Sequence, residues 1–152
     1  MFHVALERTV PFPASAAWAH LIDFPNVPAW EDGVLEVRQT SPGAPGIGTE
    51  LVARRVYAGR ESRVDCRIVD WQEGRAVTMV IEGGPVRSAT VSYAVEPAGD
   101  RRSVVTYTSD VTLRSPLGLL TPLIAMVGRR LVAANLERLE ARIATAGAET
   151  TG

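Results

Sequence analysis

The side chains best suited to chemistry in this sequence are arginines and tyrosines standing at alternate positions of short apolar runs. VRSATVSYAVE puts Ala89, Val91, Tyr93 and Val95 on one parity, and Arg87 extends that row toward the GGP turn. SVVTYTSDVTL gives a matching row of Val105, Tyr107, Ser109, Val111 and Leu113, and AVTMVIE one of Val77, Met79 and Ile81. TELVARRVY is two-sided: Leu51, Ala53, Arg55 and Tyr57 share one parity, Val52, Arg54 and Val56 the other. A guanidinium keeps its proton at working pH and offers a planar fork to a carboxylate, phosphate or enolate oxygen. In a dry pocket with tyrosine hydroxyls beside it, Arg55 or Arg87 could hold a developing oxyanion during an aldol condensation or dehydration. The plainer alternative makes Tyr93 and Tyr107 core aromatics with hydroxyls at the sheet edge, and lets both arginines snorkel to water.

Other chemistries have fewer residues to draw on. All sixteen basic residues are arginine, so a Schiff-base lysine and a P-loop lysine are both excluded. Cys66 is the only cysteine, which excludes an internal disulfide and a multi-cysteine metal site. His3 begins the first apolar run and His20 lies off the Trp18, Leu21, Ile22 stripe, so both are expected at the surface; neither has a carboxylate or cysteine at ligand spacing, and no metal is expected. Asp65 and Asp110 fall on the polar parity of their runs. Ser109 lacks a G-x-S-x-G setting and a nearby histidine. GAPGIG joins two strand-like runs and opens no helix, so it reads as a hairpin turn or cavity rim rather than a phosphate loop. No cofactor is implied.

With 152 residues the chain fits one domain, expected over 1–146 with a frayed tail at 147–152. The net charge is −1 and the arginines are dispersed, which argues against a nucleic-acid footprint. No apolar run is long enough for a membrane span, and MFHVALERTV lacks the basic flank of a signal peptide. With a single cysteine, the chain reads as cytoplasmic. Its oligomeric state is not legible.

The elements that must position these side chains follow from period and punctuation. HVALERTV alternates as a first strand and ends at Pro11 and Pro13; PASAAWAHLI is a short helix burying Trp18, Leu21 and Ile22. FPNVPAW allows only a turn or one more helical turn, because each proline pushes its predecessor out of the helical region. Two short pieces can wrap the end of a curved sheet where one long helix could not. VLEVRQT and five further strands follow, separated by turn-forming AG, QEGR, GGP and PAGDRR, in antiparallel meander order. SPLGLLTPL carries two helix-start signals, at Ser115 and Thr121, and the long helix is expected from Pro122 to about Ala146. Its buried stripe is expected to run Leu123, Val127, Leu131, Ala134 and Arg138, continued by Leu136, Leu139 and Ile143, with Glu137 and Glu140 in solvent. The fold class is α+β: a seven-stranded curved antiparallel sheet wrapped around a long C-terminal helix, with two short helices after the first strand.

Pro13, Ala14, Trp18, Asp23, Phe24 and Trp30 near the start, Gly48 opening the third strand and the closing Asn135-Leu136-Glu137-Arg138-Leu139 resemble the START-like helix-grip (SRPBCC) superfamily. The branch most similar is that of polyketide cyclase/dehydrase and lipid-transport proteins, and the resemblance covers nearly the whole chain. It implies a central cavity between sheet and helix that takes a small hydrophobic molecule such as a polyketide, lipid or aromatic metabolite. Its expected lining is Trp30, Tyr57, Met79, Arg87, Tyr93, Tyr107 and Met126, and Arg87, Arg55, Tyr93 and Tyr107 are the candidates for catalysing cyclisation, dehydration or aromatisation. The family also contains ligand carriers, regulators and co-chaperone-like interaction modules, so the resemblance leaves enzyme status open.

Overall fold

A computed structural model describes residues 1–57, 59–114 and 121–151, the side chains of 121 and 147–151 excepted. Strand β1 (Phe2–Val10) leads into helix α1 (Ala14–Leu21) and a 3-10 segment (Phe24–Ala29). Six strands follow: β2 (Val34–Gln39), β3 (Glu50–Tyr57), β4 (Arg60–Gln72), β5 (Ala76–Gly83), β6 (Val86–Pro97) and β7 (Ser103–Leu113). Helix α2 (Thr121–Thr151) closes the chain. The strands form one antiparallel sheet in the order β1-β7-β6-β5-β4-β3-β2, a meander whose last strand takes β1 on its far side. The Ser115 start signal lies outside the described residues.

The core forms where the alternating rows turn to one face. Val64 and Ile68, Val77, Val91 and Val95, and Val105 are all buried there, joined by Trp18, Leu21 and Phe24 from the short helical pieces. TELVARRVY is no longer two-sided: Leu51 and Ala53 are buried, and Arg54 and Val56 are exposed. Trp71 packs edge-on against Trp18 at 5.2 Å and closes that end of the core.

Register shifts interrupt the pairing of β2, β4 and β6. An extra residue in one strand bends it and reverses side-chain parity beyond it. The shift in β6 lies between Val86, opposite Leu113, and Ser88, opposite Thr112. Arg87 is the extra residue. It points outward and is exposed while Val86 is buried, so it does not continue the Ala89–Val91–Tyr93 row.

Helix α2 also differs from its expected orientation. Leu136, Leu139 and Ile143 are buried as expected, but Leu123, Val127 and Leu131 are 55%, 47% and 46% exposed. The first three turns of α2 are apolar on both sides, so sequence period alone offers two faces to bury; contact with β1 selects one, with Gly128 against the ring of Phe2. Glu140 is not a solvent-side residue: its Oε2 accepts from Nε of Arg8 at 2.9 Å. The α2 backbone stays helical to Thr151, beyond the expected end near Ala146, as no proline interrupts it.

A second clasp ties α2 to the segment after the 3-10 turn. The buried side chain of Asn135 accepts the backbone N–H of Asp32 at 3.0 Å, and Arg138 donates to that same amide oxygen at 2.8 Å. Asn135→Ala would leave the Asp32 amide without its acceptor, and a loss of about 1–3 kcal/mol is expected. Urea denaturation of the variant against wild type measures it; a change below about 0.5 kcal/mol would show that water replaces the side chain.

Candidate functional site

The interior holds a cavity of about 90 Å3 between the sheet and the 3-10 segment. Apolar walls come from Phe24 and Val27, from Leu51 and Ala53 of β3, from Val64 of β4, and from Val77, Met79 and Ile81 of β5. Into these walls are set Trp30, Glu31, Arg55, Cys66, Tyr93 and Tyr107. Strand parity delivers most of them, because alternate residues of β3 to β7 face inward. Glu31 arrives differently: it follows Trp30 at the end of the 3-10 segment, beside the Asp32 amide held by Asn135.

Among the described residues, the two charged ones lining the cavity are paired with each other. Arg55 and Glu31 approach to 3.4 Å, with side chains 22% and 20% exposed. Burial pulls the Arg55 guanidinium down, but Glu31 and the neighbouring tyrosines outweigh it and its pKa is raised. The guanidinium also lies over the ring of Tyr57, 5.4 Å from its centroid. The aromatics form a chain of edge contacts, with Trp30 5.8 Å from Tyr93 and Tyr93 5.2 Å from Tyr107. Burial pushes the Tyr93 hydroxyl well above the ordinary tyrosine range. It raises Tyr107 too, against a hydrogen bond with Ser109, so both stay neutral donors at working pH.

Two polar atoms in these walls have no partner. The indole Nε1 of Trp30 and the Nε of Arg55 are buried, and neither makes a hydrogen bond among the described residues. Leaving such a donor unpaired costs about 1–3 kcal/mol, which an acceptor reaching it would recover. Trp18 Nε1 is also unpartnered, but it sits against Trp71 and not in the cavity wall.

Of the residues singled out from sequence, Arg55, Trp30, Met79, Tyr93 and Tyr107 come together in the cavity, and Tyr57 adjoins it beneath Arg55. Two do not: Arg87 is carried outside by the β6 bulge, and Met126 is 51% exposed on the outer side of α2. Sequence reading missed Glu31 and Cys66. Cys66 was within reach, since it shares the parity of Val64 and Ile68. Glu31 had only a weak signal, an acid directly after FPNVPAW. His3 is exposed and bonds Asp110 at 2.8 Å, and His20 bonds the Ala16 carbonyl oxygen at 3.0 Å; neither faces the cavity. No metal-binding group of His, Cys, Asp or Glu occurs among the described residues.

Burial holds the Cys66 thiol proton from its ordinary 9.0 up to about 11. Below pH 9 folded and unfolded chains both keep that proton. As pH rises from 9 to 11 the unfolded chain releases it first, so stability falls, by about 2–3 kcal/mol at pH 11. Urea midpoints across pH 8–11 test this; Cys66→Ala should remove the larger part of the drop between pH 9 and 9.5, while the raised tyrosines add a drop of their own toward pH 10 and above. An equal drop in the variant would contradict it.

An open antiparallel sheet gripping a C-terminal helix, with a partly enclosed pocket under two short helical pieces, defines a START-like helix-grip protein. The chain belongs to the polyketide cyclase / dehydrase and lipid transport family, whose model matches residues 1–144. Among solved structures it is similar to an aromatase/cyclase from Streptomyces sp. R1128, with 16% identity over 93% of both chains and a TM-score of 0.80. A START superfamily protein from Mycobacterium smegmatis superposes with a TM-score of 0.83 at 14% identity, over 94% of this chain and 97% of that one. A protein from Thermus thermophilus does so at 0.81 and 20% identity, over 95% and 99%. Identities this low show a shared fold. No curated protein matches in sequence. Among the described residues no helix is long and apolar enough to cross a membrane.

Proposed function

We propose that this protein binds a small, mostly apolar organic molecule in the cavity and holds it by a hydrogen-bond acceptor. The observation that carries this reading is the pair of unpartnered donors, Trp30 Nε1 and Arg55 Nε, in otherwise apolar walls. The same groups suit a cyclisation or dehydration of the bound molecule, the activity class suggested by the family description and by the Streptomyces aromatase/cyclase. An oxyanion forming on a bound carbonyl would meet the permanently charged Arg55 and the neutral hydroxyls of Tyr93 and Tyr107, fixed before the reaction begins. A carrier of the same ligand would use the same contacts without turnover.

A second reading, an interaction module, draws on a different observation: Leu123, Met126, Val127 and Leu131 leave an apolar stripe exposed on α2. It does not account for the two donors inside. Native mass spectrometry of protein purified from its own host separates these readings. A retained small molecule, lost on Trp30→Phe or Arg55→Met but kept on Leu131→Arg, is the expected result. Recovery of the molecule altered after incubation marks an enzyme, and recovery unchanged marks a carrier. An empty protein, together with no thermal shift from small carbonyl compounds, would rule out the binding reading.

A further inference from the structure

We propose that the cavity selects a neutral, single-ring-sized carbonyl compound, and that Glu31 is the residue that excludes anions. This rests on the cavity being the binding site and adds the charge and size of what enters it.

Charge in the cavity already sums to zero. Arg55 and Glu31 are the charged residues lining it, and they neutralise each other at 3.4 Å. The remaining titratable groups, the Tyr93 and Tyr107 hydroxyls and the Cys66 thiol, are held protonated by burial. An arginine alone in an apolar pocket would favour a carboxylate or phosphate. Here an entering anion meets a guanidinium whose charge is already matched and a carboxylate that repels it. Its own dehydration is then left uncompensated. A cation fares no better, since Arg55 opposes it.

An acceptor is what the two unpartnered atoms of the cavity walls require. Both unpartnered atoms, Trp30 Nε1 and Arg55 Nε, are N–H donors, and the tyrosine hydroxyls can donate as well. A ketone or aldehyde oxygen has two lone pairs and no charge, so it supplies acceptors without burying a net charge. A hydrocarbon of equal size fits the walls but leaves the donors unpaired, and an alcohol brings a further donor of its own.

Room sets the size. The cavity measures about 90 Å3, whereas a cavity of about 150 Å3 is known to take benzene. A single ring therefore fills it and needs a small widening, and an extended polyketide chain exceeds it altogether. The ring finds edge and face partners in Trp30, Tyr93 and Tyr107, whose mutual contacts already fix their orientation.

The test uses four ligands of similar size and different chemistry: cyclohexanone, cyclohexanecarboxylate, cyclohexylamine and benzene. The readout is the indole N–H resonance of Trp30 in proton–nitrogen correlation spectra of the intact chain, identified by its loss in Trp30→Phe. The Trp18 indole, unpartnered but outside the cavity, serves as internal control for the fold. In wild type, cyclohexanone is expected to move the Trp30 resonance and to bind at least about tenfold more tightly than the carboxylate, amine or benzene. In the isosteric Glu31→Gln variant the guanidinium is no longer matched, and the carboxylate should gain at least about tenfold and overtake the ketone. Tighter binding of the carboxylate in wild type, or an unchanged ligand order in Glu31→Gln, overturns the selectivity while leaving the cavity a binding site. No response of the Trp30 resonance to any of the four in either protein overturns the binding reading and this inference with it.

Discussion

Replacing Arg55 by methionine is expected to destabilise the protein by about 2–3 kcal/mol, and replacing Glu31 by glutamine in the same chain should restore most of it. Arg55 and Glu31 sit in apolar walls at 3.4 Å, each about four-fifths covered. Methionine keeps most of the length and apolar contact of the arginine stem but removes the guanidinium. The Glu31 carboxylate is then left in the cavity without a counter-charge. Breaking a fully buried pair on one side costs about 3–5 kcal/mol. The remaining exposure of these two side chains, 22% and 20%, places the loss below that range. Removing both charges is a different operation: it trades the ion pair for neutral groups of similar volume and is often close to neutral. The single variant should therefore melt about 5–10 °C lower than wild type, and the double variant within a few degrees of it. Equal stability of the single and double variants would mean that Glu31 gains nothing from Arg55, and the charge-balanced cavity would have to be abandoned.

Gly83→Ala should cost about 3–5 kcal/mol, whereas the same change one residue later should cost less, about 2 kcal/mol. At Gly83 the backbone φ is +142°, outside the range that side chains accept readily, and a Cβ would stand 2.4 Å from the Arg63 carbonyl oxygen and 2.9 Å from Val64 Cα. Both obstacles are backbone of β4, so relief requires the strands to part. At Gly84 φ is +55° and the nearest atoms are Oγ and Cβ of Ser62, at 2.8 and 2.9 Å; the hydroxyl can rotate away, and the Cβ has to give by only a few tenths of an ångström. Beyond stability, parting β4 from β5 would move Val64 and Cys66 away from Met79 and Ile81, which face one another across the cavity wall. Urea denaturation of both variants measures the contrast. Similar losses at the two positions would show that β4 yields more easily than its close approach suggests.

The two variants test features that differ in how far the chain order foretells them. The glycines of GGP announce a tight turn between β5 and β6, and the turn is there, but the near-contact of Gly83 with Arg63 belongs to the packing of β5 on β4. Likewise Arg55 stands on the correct parity in sequence, yet its partner is 24 positions away along the chain (55 − 31). Local patterns report which way a side chain points; they do not report what meets it.

Where a property depends on neighbours within one element, the sequence was sufficient. The meander order, the helix broken at FPNVPAW and the inward rows of β5, β6 and β7 follow from alternation, proline placement and turn residues. These are short-range consequences of backbone sterics and of the preference of apolar side chains for one face.

Only the tertiary structure decided the rest. Arg87 left the inward row because one residue of β6 has no counterpart on β7, and such a bulge is a property of two strands together. Met126, Leu123 and Leu131 face outward because α2, apolar on both sides at its start, had its face chosen by contact with β1. Glu31 entered the cavity because Asn135, more than a hundred positions later, holds the Asp32 amide beside it. The volume left inside, and with it the size of any ligand, is the small remainder of how all these elements close on one another, and no local pattern encodes it.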